Sequence, residues 1–188
     1  CVGRLRIASR IGLKDPAPEA GSYWVTEQDM RGLSPQRDPV SHKGIHGHVG
    51  IIGGSTGYHG APILAGYAGL RAQPGLVSIF TPAYQPVSAQ CQSIMVHPWD
   101  RNCVETLSRT TALVAGPGLA GGDVEDSLRQ TVLNLWNESS KPMVVDASAL
   151  DWLPKGAPDS EAFRLLTPHP GEAARLLGCS PEKVESGR

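Results

Sequence analysis

The sequence predicts an α/β fold in which a mostly parallel sheet carries helices on both faces. Three observations predict it. Short, continuous apolar runs recur from residue 49 onward, the signature of strands buried on both faces of a parallel sheet. Segments with helical spacing or helix-capping residues separate those runs, which calls for right-handed crossovers. Three glycine-rich turns (residues 53–60, 116–122 and 167–172) each follow directly on an apolar run.

The elements follow in order. Val49, Gly50, Ile51 and Ile52 form the first core strand, and residues 61–73 a helix rich in small residues. Residues 76–80 make the next strand, stopped by Pro82. Residues 93–96 and 112–115 read as further strands. A helix is expected after Asp123 as N-cap, with Glu125 and Asp126 at its positive end and a stripe of Val124, Leu128, Val132 and Leu135. Residues 143–146 form a strand ending in Asp146, and residues 163–166 the last strand. Residues 171–177 are helical with Gly178 as the C′ residue, and Ser180 and Pro181 open one more helix. Residues 1–41 differ, holding Pro16, Pro18, Pro35 and Pro39 and little periodicity. Residues 4–11 and 23–26 read there as short strands, with Thr26 capping a turn of helix over residues 27–30.

At 188 residues and 40% apolar content the chain has enough material for a packed domain. Its net charge of −1 offers no basic field for nucleic acid, and no apolar run approaches the roughly 20 residues needed to cross a bilayer. Cys1, Cys91, Cys103 and Cys179 form no C-x-x-C pair, so they read as inert thiols in a reducing cytoplasm rather than as a zinc site.

A strand that ends in glycines and restarts as a helix leaves backbone N–H groups facing a crevice, a geometry that binds anions. Ligands of parallel sheets lie beyond the carboxyl ends of the strands, where all three turns and Asp146 fall. The turns are therefore expected to converge on one rim that holds a single phosphate-bearing ligand. In the first turn Ser55 and Tyr58 can donate hydrogen bonds, and Ala61 puts no bulk at the helix start. No Gly-Lys-Ser/Thr follows, so it is not a Walker A loop, and it does not fit Gly-x-Gly-x-x-Gly. Gly116 and Gly118 flank Pro117 in a sharp turn that serves binding or simply joins strand to helix. His169, held between two prolines, reads as ligand-facing. Asp146 reads either as an indirect Mg²⁺ or sugar contact or as a cap of the turn after it. The stretch His42-Lys43-Gly44-Ile45-His46-Gly47 reads equally as a phosphate-facing lip or as a solvated linker end.

Taken together, His42-Lys43-Gly44, the Gly-Gly-Ser-x-x-Tyr-x-Gly-Ala series at 53–61, Leu70-Arg71, Gly75-Leu76-Val77, Ala115-Gly116-Pro117-Gly118-Leu119, Val145-Asp146-Ala147 and Thr167-Pro168-His169-Pro170-Gly171-Glu172 resemble the ADP- or ATP-dependent NAD(P)H-hydrate dehydratases. The resemblance covers residues 42–188 and implies a ribokinase-like fold. Residues 3–13 resemble the tail of the NAD(P)H-hydrate epimerase domain often fused in front, so residues 1–41 are expected to be such a tail plus linker. The implied reaction is dehydration of hydrated NADH or NADPH, with ADP or ATP and Mg²⁺, through phosphorylation of the ring hydroxyl. By resemblance Ala61, Gly118 and His169 contact the hydrated dinucleotide, with Tyr58 and Gly116 assisting, and no residue is assigned to a metal. The family's Gly-Gly-Asp segment with its catalytic aspartate is expected beyond Arg188, so the chain is expected to be truncated at its C-terminus and the catalytic residue is unknown. The family's Asp-Ala-Asp-Ala-Leu-Asn also stands here as Asp146-Ala147-Ser148-Ala149-Leu150-Asp151, which loses an acid and an amide. A homo-oligomer, a tetramer by family resemblance, is implied as well. The alternatives are a ribokinase-like kinase of a vitamin-precursor alcohol and an inactive nucleotide-binding or assembly fragment.

Overall fold

The structure is a computed structural model that describes residues 27–31, 37–100 and 102–187. The strands expected at 4–11 and 23–26, and Cys1, lie outside the described residues. The chain divides between Arg37 and Asp38. In the first unit the expected turn of helix is present as α1, Glu27–Met30.

The second unit alternates strand and helix. In order it contains β1 (His48–Ile52), α2 (Gly60–Arg71), β2 (Leu76–Thr81), α3 (Tyr84–Ser88), β3 (Met95–Pro98) and α4 (Cys103–Ser108). It continues through β4 (Ala112–Ala115), α5 (Asp126–Glu138), β5 (Met143–Val145), β6 (Arg164–Leu166), α6 (Pro170–Leu177) and α7 (Pro181–Ser186). The six strands form one sheet, ordered β3-β2-β1-β4-β5-β6, with every pair parallel. The chain thus runs outward from β1 on one side and restarts on the other with β4. This reversal makes the β1/β4 carboxyl ends the topological switch point.

Alternation along each strand sends neighbouring side chains to opposite faces. Ile51 joins Ile63, Val77, Ile79, Val87 and Ile94 in one core, under α2 and α3. Ile52 joins Phe80, Leu107, Leu113, Leu128, Val132, Met143 and Leu150 in the other, under α4 and α5. The cores explain the apolar runs: β1, buried almost throughout, has no solvent face. The stripe on α5 is buried at Leu128, Val132 and Trp136. Gly178 adopts the left-handed conformation (φ 65°) that ends α6, and the Ser180 side chain accepts the Lys183 N–H to open α7.

Several details differ from the sequence reading. The third strand starts at Met95, not at 93, and α3 and α4 emerge from segments too short to show a helical period. Asp123 is not a helix cap: α5 starts at Asp126 behind Glu125. Residues 42–47 lie at the amino ends of the strands, where the Gly75 N–H donates to the His46 and Gly47 carbonyls. They sit across the sheet from the glycine turns, which removes the lip reading. Cys91, Cys103 and Cys179 are free thiols, and burial raises the pKa of Cys91 and Cys103, which favours the inert form.

Candidate functional site

The three glycine turns share the carboxyl edge of the sheet, and hydrogen bonds join them in series. At the switch point the β1 and β4 turns are stitched together. The Gly54 N–H donates to the Pro117 carbonyl (2.8 Å). Ser55, fully buried, donates its hydroxyl to the Gly118 carbonyl (2.6 Å) and accepts the Gly121 N–H (2.8 Å). The Asp123 carboxylate accepts the Thr56 N–H on both oxygens (3.0 Å each) and the Thr56 hydroxyl on Oδ2 (2.8 Å). Burial pushes the Asp123 pKa up, but the bonds from Thr56 outweigh it and hold the carboxyl below the usual aspartate range.

The β4 turn in its own right leans on the end of β5. Gly116 (φ 121°) is so close to the Asp146 carbonyl that a methyl group there would sit 1.7 Å from its oxygen. Asp146 neither caps the next turn nor stands free, because it accepts the Thr167 hydroxyl at 2.6 Å. Ala147 beside it holds a positive φ (49°), a strained conformation for a residue with a Cβ. From Thr167 the chain enters a capping box. The His169 Nδ1 accepts the Gly171 and Glu172 N–H groups (3.0 and 3.4 Å), and Glu172 Oε2 accepts the His169 N–H (2.8 Å). An accepting Nδ1 leaves the proton of the neutral ring on Nε2, which stands 3.4 Å from Glu172 Oε1.

Each residue expected to contact ligand has a definite place. A methyl group on Gly118 (φ 76°) would meet the Tyr58 carbonyl oxygen at 2.3 Å and the Ala61 Cβ at 3.3 Å, so Tyr58, Ala61 and Gly118 form one cluster. Tyr58 is 52% exposed, and Ala61 is the second residue of α2. Gly116 lies beside Asp146, and the His169 side chain, 64% exposed, stands at the far end beyond β6. Three strand spacings separate β1 from β6, so the rim runs roughly 14 Å, a length suited to an extended ligand.

The three helix starts along it are not equivalent. Among them α2 alone has neither a side-chain cap nor an acidic residue in its first turn, which leaves the Gly60 and Ala61 N–H groups open to an anion, while Pro62 carries none. At α6 the first donors are already taken by His169. Asp123, Asp146, Asp151 and Glu172 are each engaged, Asp151 with Arg175 at 2.8 Å. Among the described residues no group of three or more His, Cys, Asp or Glu could hold a metal ion by itself, whereas Mg²⁺ at nucleotide sites is commonly held by one or two carboxylates together with substrate phosphates. A cavity of about 550 Å³ lined by Trp136, Leu150, Asp151, Leu166, Arg175 and Leu176 adjoins the β6 end of this edge, and none of the glycine turns contributes to it.

Sequence reasoning missed the Thr56–Asp123 and Asp146–Thr167 pairs. Their partners are 67 and 21 residues apart, and only the sheet order brings them together.

Residues 49–188 match the model of the NAD(P)H-hydrate dehydratase family. The bifunctional NAD(P)H-hydrate repair enzyme Nnr of Escherichia coli is 42% identical over 165 residues, covering 86% of this chain and 31% of that protein. The ATP-dependent (S)-NAD(P)H-hydrate dehydratase of Ixodes scapularis is 37% identical, covering 85% of this chain and 55% of that protein. Among solved structures, the ADP/ATP-dependent NAD(P)H-hydrate dehydratase of Bacillus subtilis, co-crystallised with ATP and Mg²⁺, superposes with a TM-score of 0.67 at 27% identity, covering 86% of this chain and 58% of that one. The chain therefore spans about a third of the bifunctional relative and just over half of the single-activity ones.

Proposed function

Because the chain belongs to the NAD(P)H-hydrate dehydratase family, we propose that its rim binds hydrated NADH or NADPH for nucleotide-dependent dehydration. ATP or ADP transfers a phosphoryl group to the ring hydroxyl. Phosphate then leaves with the C–O bonding electrons while a proton departs from the neighbouring ring carbon, which restores the double bond. The phosphoryl transfer serves to replace hydroxide, a poor leaving group, with a good one.

The observation that carries the reading is the β1/β4 stitch. It places the uncapped start of α2, Ala61, Tyr58 and Gly118 at one switch-point crevice, with Gly116 and His169 farther along the same edge. Backbone N–H groups at α2 suit a dinucleotide phosphate, and the His169 Nε2 proton suits an acceptor on the substrate. We assign no catalytic base here, since the rim carboxylates are engaged.

The same reading takes residues 42–188 as dehydratase domain and residues 1–41 as the tail and linker of a preceding epimerase-like domain, supported by the bifunctional relatives. It places the protein in the cytoplasm, supported by the free thiols. It takes the protein as a homo-oligomer, supported by Leu64 and Tyr67 exposed on the almost uncharged α2. Among the described residues no helix is long and apolar enough to cross a membrane.

An absorbance assay tests the activity. The full-length protein is mixed with hydrated NADH or NADPH, Mg²⁺ and either ADP or ATP, and recovery of the nicotinamide absorbance is followed. Recovery with one nucleotide is the expected outcome. No recovery with any combination, from a preparation shown to be folded, rejects the reading.

A further inference from the structure

We propose that Asp123 is a positioning residue, a latch that holds the β1 glycine turn shut against the β4 turn and so fixes the width of the switch-point crevice. Its carboxylate takes both donors that Thr56 offers, N–H and O–H, across 67 residues of sequence. One residue earlier, Ser55 bridges Gly118 and Gly121 from a fully buried position. The two side chains together bind adjacent residues of one turn to the other turn.

The turn needs such a hold. Gly54 and Gly57 both stand at positive φ (83° and 84°), and a flexible glycine turn loses much conformational entropy when it is ordered. A methyl group at Gly57 or Gly60 would meet nothing within 4 Å among the described residues, so those residues give the outer side of the turn no packing. Hydrogen bonds from Asp123 and Ser55 therefore replace the contacts that a buried segment would have. They also explain why Asp123 leaves the helix-capping position: α5 opens three residues later without a side-chain cap, and the Asp123 carboxylate is used across the crevice instead. A released latch would let the residues around Tyr58 and Ala61 drift from Gly118, and the ligand would have to order them on binding. The bonds from Thr56 also hold the Asp123 carboxyl below the usual aspartate range, so it stays ionised and the latch closed at neutral pH.

The role in ligand binding rests on the dinucleotide reading above, whereas the latch itself does not, and the experiment separates the two. Amide hydrogen exchange over residues 53–60 and NADPH affinity by titration are measured for wild type, Asp123→Ala, Asp123→Asn and Thr56→Ser. Loss of hydrogen bonds to a carboxylate predicts exchange at residues 54–58 faster by about tenfold or more in Asp123→Ala, and NADPH binding weaker by about tenfold. Exchange in β1 and β4 stays as in wild type. Thr56→Ser, which keeps both donors, stays within about twofold of wild type in both readouts, and Asp123→Asn falls between. Unchanged exchange in Asp123→Ala overturns the latch. Faster exchange with unchanged NADPH affinity overturns the positioning role. If wild type binds neither NADPH nor its hydrate, the dinucleotide reading and the positioning role built on it both fail, and the exchange data alone decide the latch.

Discussion

Replacing Gly118 with alanine is the most direct probe of the stitched turns. Two costs add. A residue with a Cβ at φ 76° pays about 1–2 kcal/mol for the left-handed conformation. Its methyl group would also lie 2.3 Å from the Tyr58 carbonyl oxygen, against a backbone that cannot rotate away, and relief of such an overlap costs about 1–3 kcal/mol. The total is roughly 2–5 kcal/mol out of an ordinary domain stability of about 5–15 kcal/mol, so the variant folds but with a clearly lower midpoint. Gly57→Ala is the control. It carries the same conformational penalty (φ 84°) with nothing within 4 Å of the new methyl, so it pays only the first cost. Urea unfolding of the two variants isolates the clash as their difference, about 1–3 kcal/mol. If Gly118→Ala is no less stable than Gly57→Ala, the close seating of the β4 turn against Tyr58 is refuted. With it goes the crevice built on that seating.

Three other perturbations follow from the same geometry. His169→Ala removes the Nδ1 cap of α6 and is expected to cost about 1 kcal/mol, whereas His169→Asn keeps a capping oxygen and stays near wild-type stability. Both weaken dinucleotide binding if the imidazole meets the ligand, and full affinity in His169→Asn would remove it from the site. Arg164 holds the end of α5 through Nε to the Trp136 carbonyl (2.9 Å), Nη1 to Lys141 (2.8 Å) and Nη2 to Ser139 (2.6 Å). Arg164→Lys cannot reproduce that fork and is expected to lower unfolding stability by about 2–3 kcal/mol, and a loss below about 0.5 kcal/mol would show the network to be idle. His48 and His97 share the Ser78 hydroxyl, at 2.9 and 3.3 Å. Burial lowers the pKa of both, with the charges of His97 and Lys141 adding to the effect at His48 and Asp100 opposing it at His97. The unfolded chain therefore binds more protons between the folded pKa values and the ordinary histidine value of about 6.5. Their contribution to stability is complete above that value and is lost as pH falls through the window beneath it. Unfolding midpoints measured against pH should flatten there in His48→Gln, and an unchanged slope would exclude His48 as the source.

Much of the fold was legible because its cause is local in the chain. Ile51, Ile52, Val114 and Val145 lie in continuous apolar runs, and Val77 and Ile79 in one broken only by the small buried Ser78, as a strand covered on both faces requires. Gly178 and Ser180 marked helix ends because a left-handed φ and a hydroxyl acceptor satisfy backbone groups within a few residues. Helices of five and six residues, α3 and α4, left no such mark, since fewer than two turns show no period.

By itself the sequence determined that glycine turns end β1, β4 and β6 on one edge, because parallel strands joined by crossovers put all their carboxyl ends on the same side. Tertiary structure alone decided which turns touch. The reversal of strand order at β1 made residues 53–60 and 116–123 neighbours, turned Asp123 from a plausible cap into the partner of Thr56, and sent residues 42–47 to the opposite edge. The physical reason is that a carboxylate takes whichever donors the folded chain brings within 3 Å of it, and strand order, not sequence distance, sets which those are.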